Sequence, residues 1–163
     1  MKEKEYFLIN FTGYENYPIK YIRYLLKKHN VNDDDNFILA INEVVCNAAR
    51  YNLKSIDECE IQIKFYFENN TINVLIIANT LITPAKQIKN NLLKIKNEKA
   101  WTKCLKGQVR GRGYWIILEE STTVIVEKNM QSVLLKKHIN KKTSYDTLYE
   151  LIKKFHIGNT KLI

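Results

Sequence analysis

The chain has 163 residues, of which 45% are hydrophobic, so it suits one compact domain with a buried core. Its net charge is +9, yet only four of its 26 basic residues are arginine and no nucleic-acid-binding motif accompanies them, so we do not expect direct nucleic-acid binding. Without a long apolar run, a signal peptide or a paired cysteine spacing, the sequence predicts a cytoplasmic protein that lacks membrane spans, disulfides and a zinc site.

Hydrophobic periodicity predicts a strand, two helices and two further strands in the first half of the chain. Residues 6–11 form the first strand, and Pro18 begins a helix with an apolar stripe. An acidic stretch supplies capping oxygens for a second helix over residues 37–51. Residues 61–68 alternate between apolar and polar side chains, as expected of a sheet covered on one face, and residues 72–77 return as a more deeply buried strand.

The second half predicts helices and a closing hairpin. A lysine-rich helix begins near Pro84, and residues 114–120 form a short apolar helix. Residues 123–127 and 132–137 form the hairpin. A last amphipathic helix, capped by Thr143 and Ser144 and stopped by Gly158, packs on the domain or forms a homodimer contact.

The order of these elements predicts the fold class. No proline- or glycine-rich linker interrupts the chain, so we expect a single domain over residues 1–163, with a core of about 6–138 and a C-terminal helical extension of about 143–157. Strands and helices fall into separate groups, which predicts an α+β two-layer sandwich. Its sheet is mixed or antiparallel, with the helices on one face.

The second predicted helix carries three polar residues on one face. Glu43, Asn47 and Arg50 are spaced at i, i+4 and i+7. A carboxylate one turn from a carboxamide can act as a general base while the amide oxygen binds Mg²⁺. The same spacing also occurs in an amphipathic helix whose polar side only faces solvent, so this helix alone leaves both interpretations open.

A glycine- and arginine-rich segment precedes the apolar helix. Residues 107–113 contain three of the five glycines in the chain and two of its four arginines. Glycines such as Gly111 and Gly113 permit close backbone approach, and free N–H groups at a helix start favour phosphate. Arg110 and Arg112 would add charge-assisted contacts to the phosphates.

Together, the two segments resemble the nucleotide-binding boxes of the GHKL (histidine-kinase-like) ATPases, in particular the anti-sigma-factor serine/threonine kinases. Residues 37–51 are similar to the N-box, with its E-x-x-x-N pattern, and residues 111–117 are similar to the second glycine box. The resemblance covers roughly residues 6–138, with the segments in the family's order. It implies the Bergerat-type fold of that superfamily.

The resemblance also implies roles and partners. Glu43 would be the general base, Asn47 the magnesium ligand, and Gly111 and Gly113 the phosphate-loop glycines. ATP and Mg²⁺ would be bound. The implied partners are a sigma factor, which is sequestered, and an anti-anti-sigma protein, which is phosphorylated.

The first glycine box departs from the family pattern. The family has an aspartate that accepts the adenine amino group, followed by glycines, whereas this chain has Asn79 at that position and no glycine after it. Asn79 can still accept one hydrogen bond through its amide oxygen. The departure leaves weakened ATP binding and an altered nucleotide preference open. It also supports a second hypothesis, in which a catalytically degenerate domain of the same fold binds a protein partner and has weak or no ATP binding.

Overall fold

The computed structural model describes residues 4–32, 36–94, 112–139 and 148–161. Its strands are β1 (Glu5–Thr12), β2 (Glu60–Glu68), β3 (Thr71–Ala78), β4 (Thr123–Val126), β5 (Ser132–His138) and β6 (Phe155–Ile157). Its helices are α1 (Ile19–Lys28), α2 (Phe37–Arg50), α3 (Ala85–Lys94), α4 (Arg112–Glu120) and α5 (Leu148–Lys153), with a 3₁₀ turn at Tyr14–Asn16.

The six strands form one mixed sheet in the order β1-β2-β3-β5-β4-β6. All neighbouring pairs are antiparallel except β4 and β6, which are parallel. The prediction of an α+β fold with a mixed sheet is therefore confirmed.

One face of the sheet supplies the core. Antiparallel register sets Phe65 opposite Val74 and Ile63 opposite Ile76, so buried side chains of neighbouring strands project to the same side. The buried residues on this face include Ile61, Ile63, Phe65 and Phe67 of β2 and Ile72, Val74, Ile76 and Ala78 of β3. Burial of each large side chain contributes about 1.5–3 kcal/mol, so this face is the main source of stability in the sheet.

Helix α2 covers this face. Its buried residues Phe37, Ile41, Val44, Val45 and Ala48 follow the helical repeat and join the same core. Asn36, which precedes the helix, forms no side-chain cap hydrogen bond. The acidic residues 33–35, expected to contribute to the cap, lie outside the described residues, as do Thr143 and Ser144 of the later cap.

The C-terminal segment differs from its prediction. A single amphipathic helix is expected as far as Gly158, but α5 ends at Lys153, and Phe155–Ile157 form strand β6 beside β4. Phe155 is fully buried against the core, which explains its place in the apolar pattern. The predicted helical extension is therefore wrong for residues 155–157.

Among the helices of the described residues, none combines the length and the apolar character needed to cross a membrane.

Candidate functional site

Helix α2 holds two of the predicted polar residues at the border of the core. Its apolar side is buried, while Glu43 and Asn47 lie one turn apart and are half-buried. The described part of the chain provides no hydrogen-bond partner for the Glu43 carboxylate. The two side chains are therefore held in position by the packing of their helix, and the carboxylate keeps its acceptor capacity.

Helix α4 approaches these residues at its first turn. A Cβ atom added to Gly113 would lie 2.6 Å from Oε2 of Glu43 and 3.9 Å from Nδ2 of Asn47. Any other residue at position 113 would displace the carboxylate, so the glycine permits the contact. A carboxylate at a helix N-terminus is also stabilised by the helix dipole. The structure thus brings together three residues that the sequence proposes for one site.

The third polar residue of α2, Arg50, lies elsewhere. It is exposed at the end of the helix, and its Nη2 donates to Sγ of Cys46 at 3.7 Å. Tyr14 lies near the side chain of Cys46. Burial, reinforced by the neighbouring Cys46 and Glu43, raises the pKa of the Tyr14 phenol. Arg50 therefore borders the site from the side of the 3₁₀ turn and does not line the cavity described next.

A cavity of about 270 Å³ extends from Asn47 between α2, α4 and the sheet. Most of its wall is apolar, and the residues that define its shape include Val44, Ala48, Ile76, Ile117, Val126 and Val133. No acidic or basic side chain belongs to its lining in the described parts of the chain. This volume and composition suit a flat, largely uncharged ring system.

Two tyrosines line the same cavity. Tyr51 follows the end of α2 and Tyr114 follows Gly113 in α4, and both line it. Burial, with a smaller contribution from Tyr51, raises the pKa of Tyr114 to about 12. Tyr114 therefore stays neutral at physiological pH and presents an aromatic, uncharged surface.

The end of β3 contributes Thr80, not Asn79, to this cavity. Side chains alternate along the strand, so Ile76 and Ala78 project to the helical side. Thr80, two residues beyond the strand, continues this series and lines the cavity. Asn79 is exposed on the other side, where its Oδ1 accepts from Nε2 of Gln131 at 3.5 Å. The residue proposed from the sequence to contact adenine thus lies outside the cavity, and its neighbour lies within it.

Thr80 has an unusual environment for a hydroxyl group. Its side chain is buried, with 7% of its surface exposed. Within the described residues, its Oγ1 has no hydrogen-bond partner. A buried polar atom without a partner costs about 1–3 kcal/mol, so such atoms often face a missing ligand or water. The alternation along β3 would have identified Thr80, because it continues the buried series beyond Ala78.

The opposite end of α4 is held by two lysines. Lys154 Nζ donates to the carbonyl oxygens of Leu118 and Ser121, both at 3.0 Å, and Lys137 Nζ donates to that of Glu120 at 3.1 Å. Burial, together with the neighbouring Lys137 cation, lowers the pKa of Lys154. These cations satisfy the last carbonyls of the helix and complement its dipole.

The three remaining predicted site residues lie outside the described ranges or at their boundary. Gly111 and Arg110 lie outside the described residues, and Arg112 is described only as the first residue of α4. Their roles as phosphate ligands stay predictions.

No group of three potential metal-ligating His, Cys, Asp or Glu side chains occurs in the described ranges. A Mg²⁺ ion held by Asn47 would therefore need further ligand oxygens, such as those of phosphates.

Comparisons with known proteins do not identify a family. No protein-family model matches the sequence. A comparison with curated proteins gives no significant match.

Proposed function

We propose that this chain is an ATP-binding domain of the histidine-kinase-like fold, acting as an anti-sigma-factor-like serine/threonine protein kinase. The contact between Gly113 and the Glu43 carboxylate is the observation that carries this proposal. It joins two sequence segments that separately resemble nucleotide-binding boxes. The apolar cavity beside Asn47 provides a compartment for the base.

The proposed ligand has its base in the cavity and its phosphates at the first turn of α4. Free backbone N–H groups at a helix start donate to phosphate oxygens, and the helix dipole favours their negative charge. Asn47 would hold Mg²⁺ through its amide oxygen, because this ion prefers oxygen ligands and usually shares them with phosphates. When bound, Mg²⁺ neutralises charge on the β- and γ-phosphate oxygens.

Glu43 is the proposed general base. Its carboxylate lies beside Gly113 and accepts the proton of a serine or threonine hydroxyl as the hydroxyl oxygen attacks the γ-phosphorus. The bond from the γ-phosphorus to its bridging oxygen breaks, and ADP leaves. The proposed acceptor is an anti-anti-sigma protein, and a sigma factor is the partner that the domain sequesters.

The substitution Glu43→Gln tests this role. It removes the basic oxygen but preserves the size of the side chain, so we expect ADP release from Mg-ATP to fall about 10²- to 10⁴-fold. The Mg-ATP dissociation constant should change by less than about threefold, because the phosphate and base contacts remain. Turnover close to that of the unaltered protein would remove Glu43 from the mechanism.

A second function retains the fold without turnover. The observation in its favour is that no carboxylate lines the described wall of the cavity, so the usual acidic contact to adenine is missing. In that case the domain regulates a protein partner by binding alone. Absence of saturable Mg-ATP binding, with normal folding, would favour this function over the kinase.

A further inference from the structure

We propose that the hydroxyl of Thr80 contacts the nucleobase and that it makes the site tolerant of both adenine and guanine. This inference rests on the proposed nucleotide-binding function and adds a selectivity that the function alone does not specify. It assigns to Thr80 the contact that the sequence suggests for Asn79.

The position of Thr80 supports contact with a base. It lies next to the C-terminal end of α2, where it pairs with Asn52 across an isolated β-bridge. Glu43 lies seven residues before the end of that helix, or roughly 10 Å along its axis. A nucleotide has its base and its phosphates at opposite ends, so phosphates near Glu43 leave the base near Thr80.

The hydroxyl of Thr80 has no partner among the described residues, so a ligand group can supply one. The side chain is more than nine-tenths buried and lines the cavity, and its Oγ1 is unpartnered among the described residues. The nearby amide of Gln131 is engaged otherwise. Its Nε2 donates to the carbonyl oxygen of Thr80 at 3.3 Å, and its Oε1 accepts from Asn129 at 3.2 Å.

A hydroxyl selects bases differently from a carboxylate. An ionised carboxylate only accepts hydrogen bonds, so it favours the amino group of adenine over the oxo group of guanine. A threonine hydroxyl rotates, accepting from an amino group or donating to an oxo group. Because no carboxylate lines the described wall, the described residues present no group that rejects guanine at this point.

Calorimetric titration with Mg-ATP and Mg-GTP tests the inference on the full chain. For the unaltered protein, we expect dissociation constants that agree within about threefold. Thr80→Val removes the hydroxyl at nearly constant shape and should weaken both nucleotides about three- to tenfold, the effect of one lost hydrogen bond. Thr80→Ser retains the hydroxyl and should keep both affinities within about twofold.

The ligand-free protein provides a second readout. Thr80→Val replaces a buried hydroxyl that lacks a partner, so its melting temperature should equal or exceed that of the unaltered protein. A lower melting temperature would mean that the hydroxyl has a structural partner, and it would overturn the inference. In Thr80→Val, nucleotide affinity is therefore expected to fall while the melting temperature of the ligand-free protein stays the same or rises.

Asn79→Ala is the matched control, because Asn79 is the neighbouring residue on the other side of the strand. It should leave both affinities within about twofold. Loss of binding in this variant, unchanged binding in Thr80→Val, or an ATP preference above about tenfold would overturn the assignment of Thr80 while leaving nucleotide binding intact. If neither nucleotide binds the unaltered protein, the proposed function itself fails, and this inference fails with it.

Discussion

Side chains of opposite charge lie at the two ends of helix α4, and the two ends differ in their contacts with the rest of the chain. At its C-terminal end, Lys137 and Lys154 donate to the last carbonyl oxygens at 3.0–3.1 Å. At its N-terminal end, the Glu43 carboxylate lies against Gly113. Both arrangements suit the helix dipole, which is positive at the start and negative at the end.

The two ends differ in whether their hydrogen-bonding groups find partners within the protein. At the C-terminal end, backbone acceptors receive protein donors, so the interactions are complete within the molecule. At the N-terminal end, the described residues provide the carboxylate with no hydrogen-bond donor, and the glycine keeps the approach open. One end of the helix is therefore structural, and the other has the properties of a binding site.

Of the substitutions that test this difference between the two ends of α4, Gly113→Ala should have the largest effect. The added Cβ would meet the carboxylate at 2.6 Å and displace it, so we expect Mg-ATP turnover to fall about 100-fold. The fold should tolerate the change, because the obstructed atom is the far end of a flexible side chain and alanine is the better helix former by up to about 1 kcal/mol. ADP release and a thermal melt on the same sample measure both effects.

Gly158→Ala is the matched control for that variant. A Cβ atom there would meet only Ile125, at an ordinary contact distance of 3.9 Å. We expect turnover within about twofold of the unaltered protein. Equal losses in both glycine variants would show that the close approach at 113 has no special role, and a loss of folding in Gly113→Ala would show that its role is structural.

Lys154→Met should have a smaller effect, and only on stability. The substitution preserves the aliphatic stem but leaves two carbonyl oxygens without their charged donor, so the free energy of unfolding should fall by about 1–3 kcal/mol. Urea denaturation measures this change. The Mg-ATP affinity of the folded protein should stay within about threefold, because the N-terminal end of α4 is unaltered.

Lys20→Met provides the comparison, since Lys20 is exposed on α1. Its unfolding free energy should remain within about 0.5 kcal/mol of the starting value. If Lys154→Met lowers nucleotide affinity as strongly as Gly113→Ala, the division of α4 into a structural and a functional end is incorrect.

Much of the fold is predictable from local patterns. The alternation in β2 and the helical repeat of α2 each identify a buried face directly, because these periods reflect which side chains meet the core. Strand β6 is not predictable in this way. It has three residues, only Phe155 of which is buried, and its parallel pairing with β4 depends on tertiary contacts.

The site shows the same division. Glu43 and Asn47 are recognisable because their spacing is local to one helix, and Gly113 because it belongs to a glycine-rich segment. Thr80 is found only when the alternation of β3 is followed two residues beyond the end of the strand. The role of Lys154 cannot be predicted from the sequence, since its acceptors, the carbonyl oxygens of Leu118 and Ser121, are more than thirty residues away.

Calorimetric titration of Mg-ATP into the unaltered protein and into Asn47→Ala shows whether the cluster of Glu43, Asn47 and Gly113 binds a magnesium nucleotide. We expect saturable binding by the unaltered protein and an affinity at least about tenfold lower in the variant, because Asn47 borders both the cavity and Gly113. If the folded, unaltered protein does not bind Mg-ATP, or if the two proteins bind it with identical affinity, this cluster is not a nucleotide site.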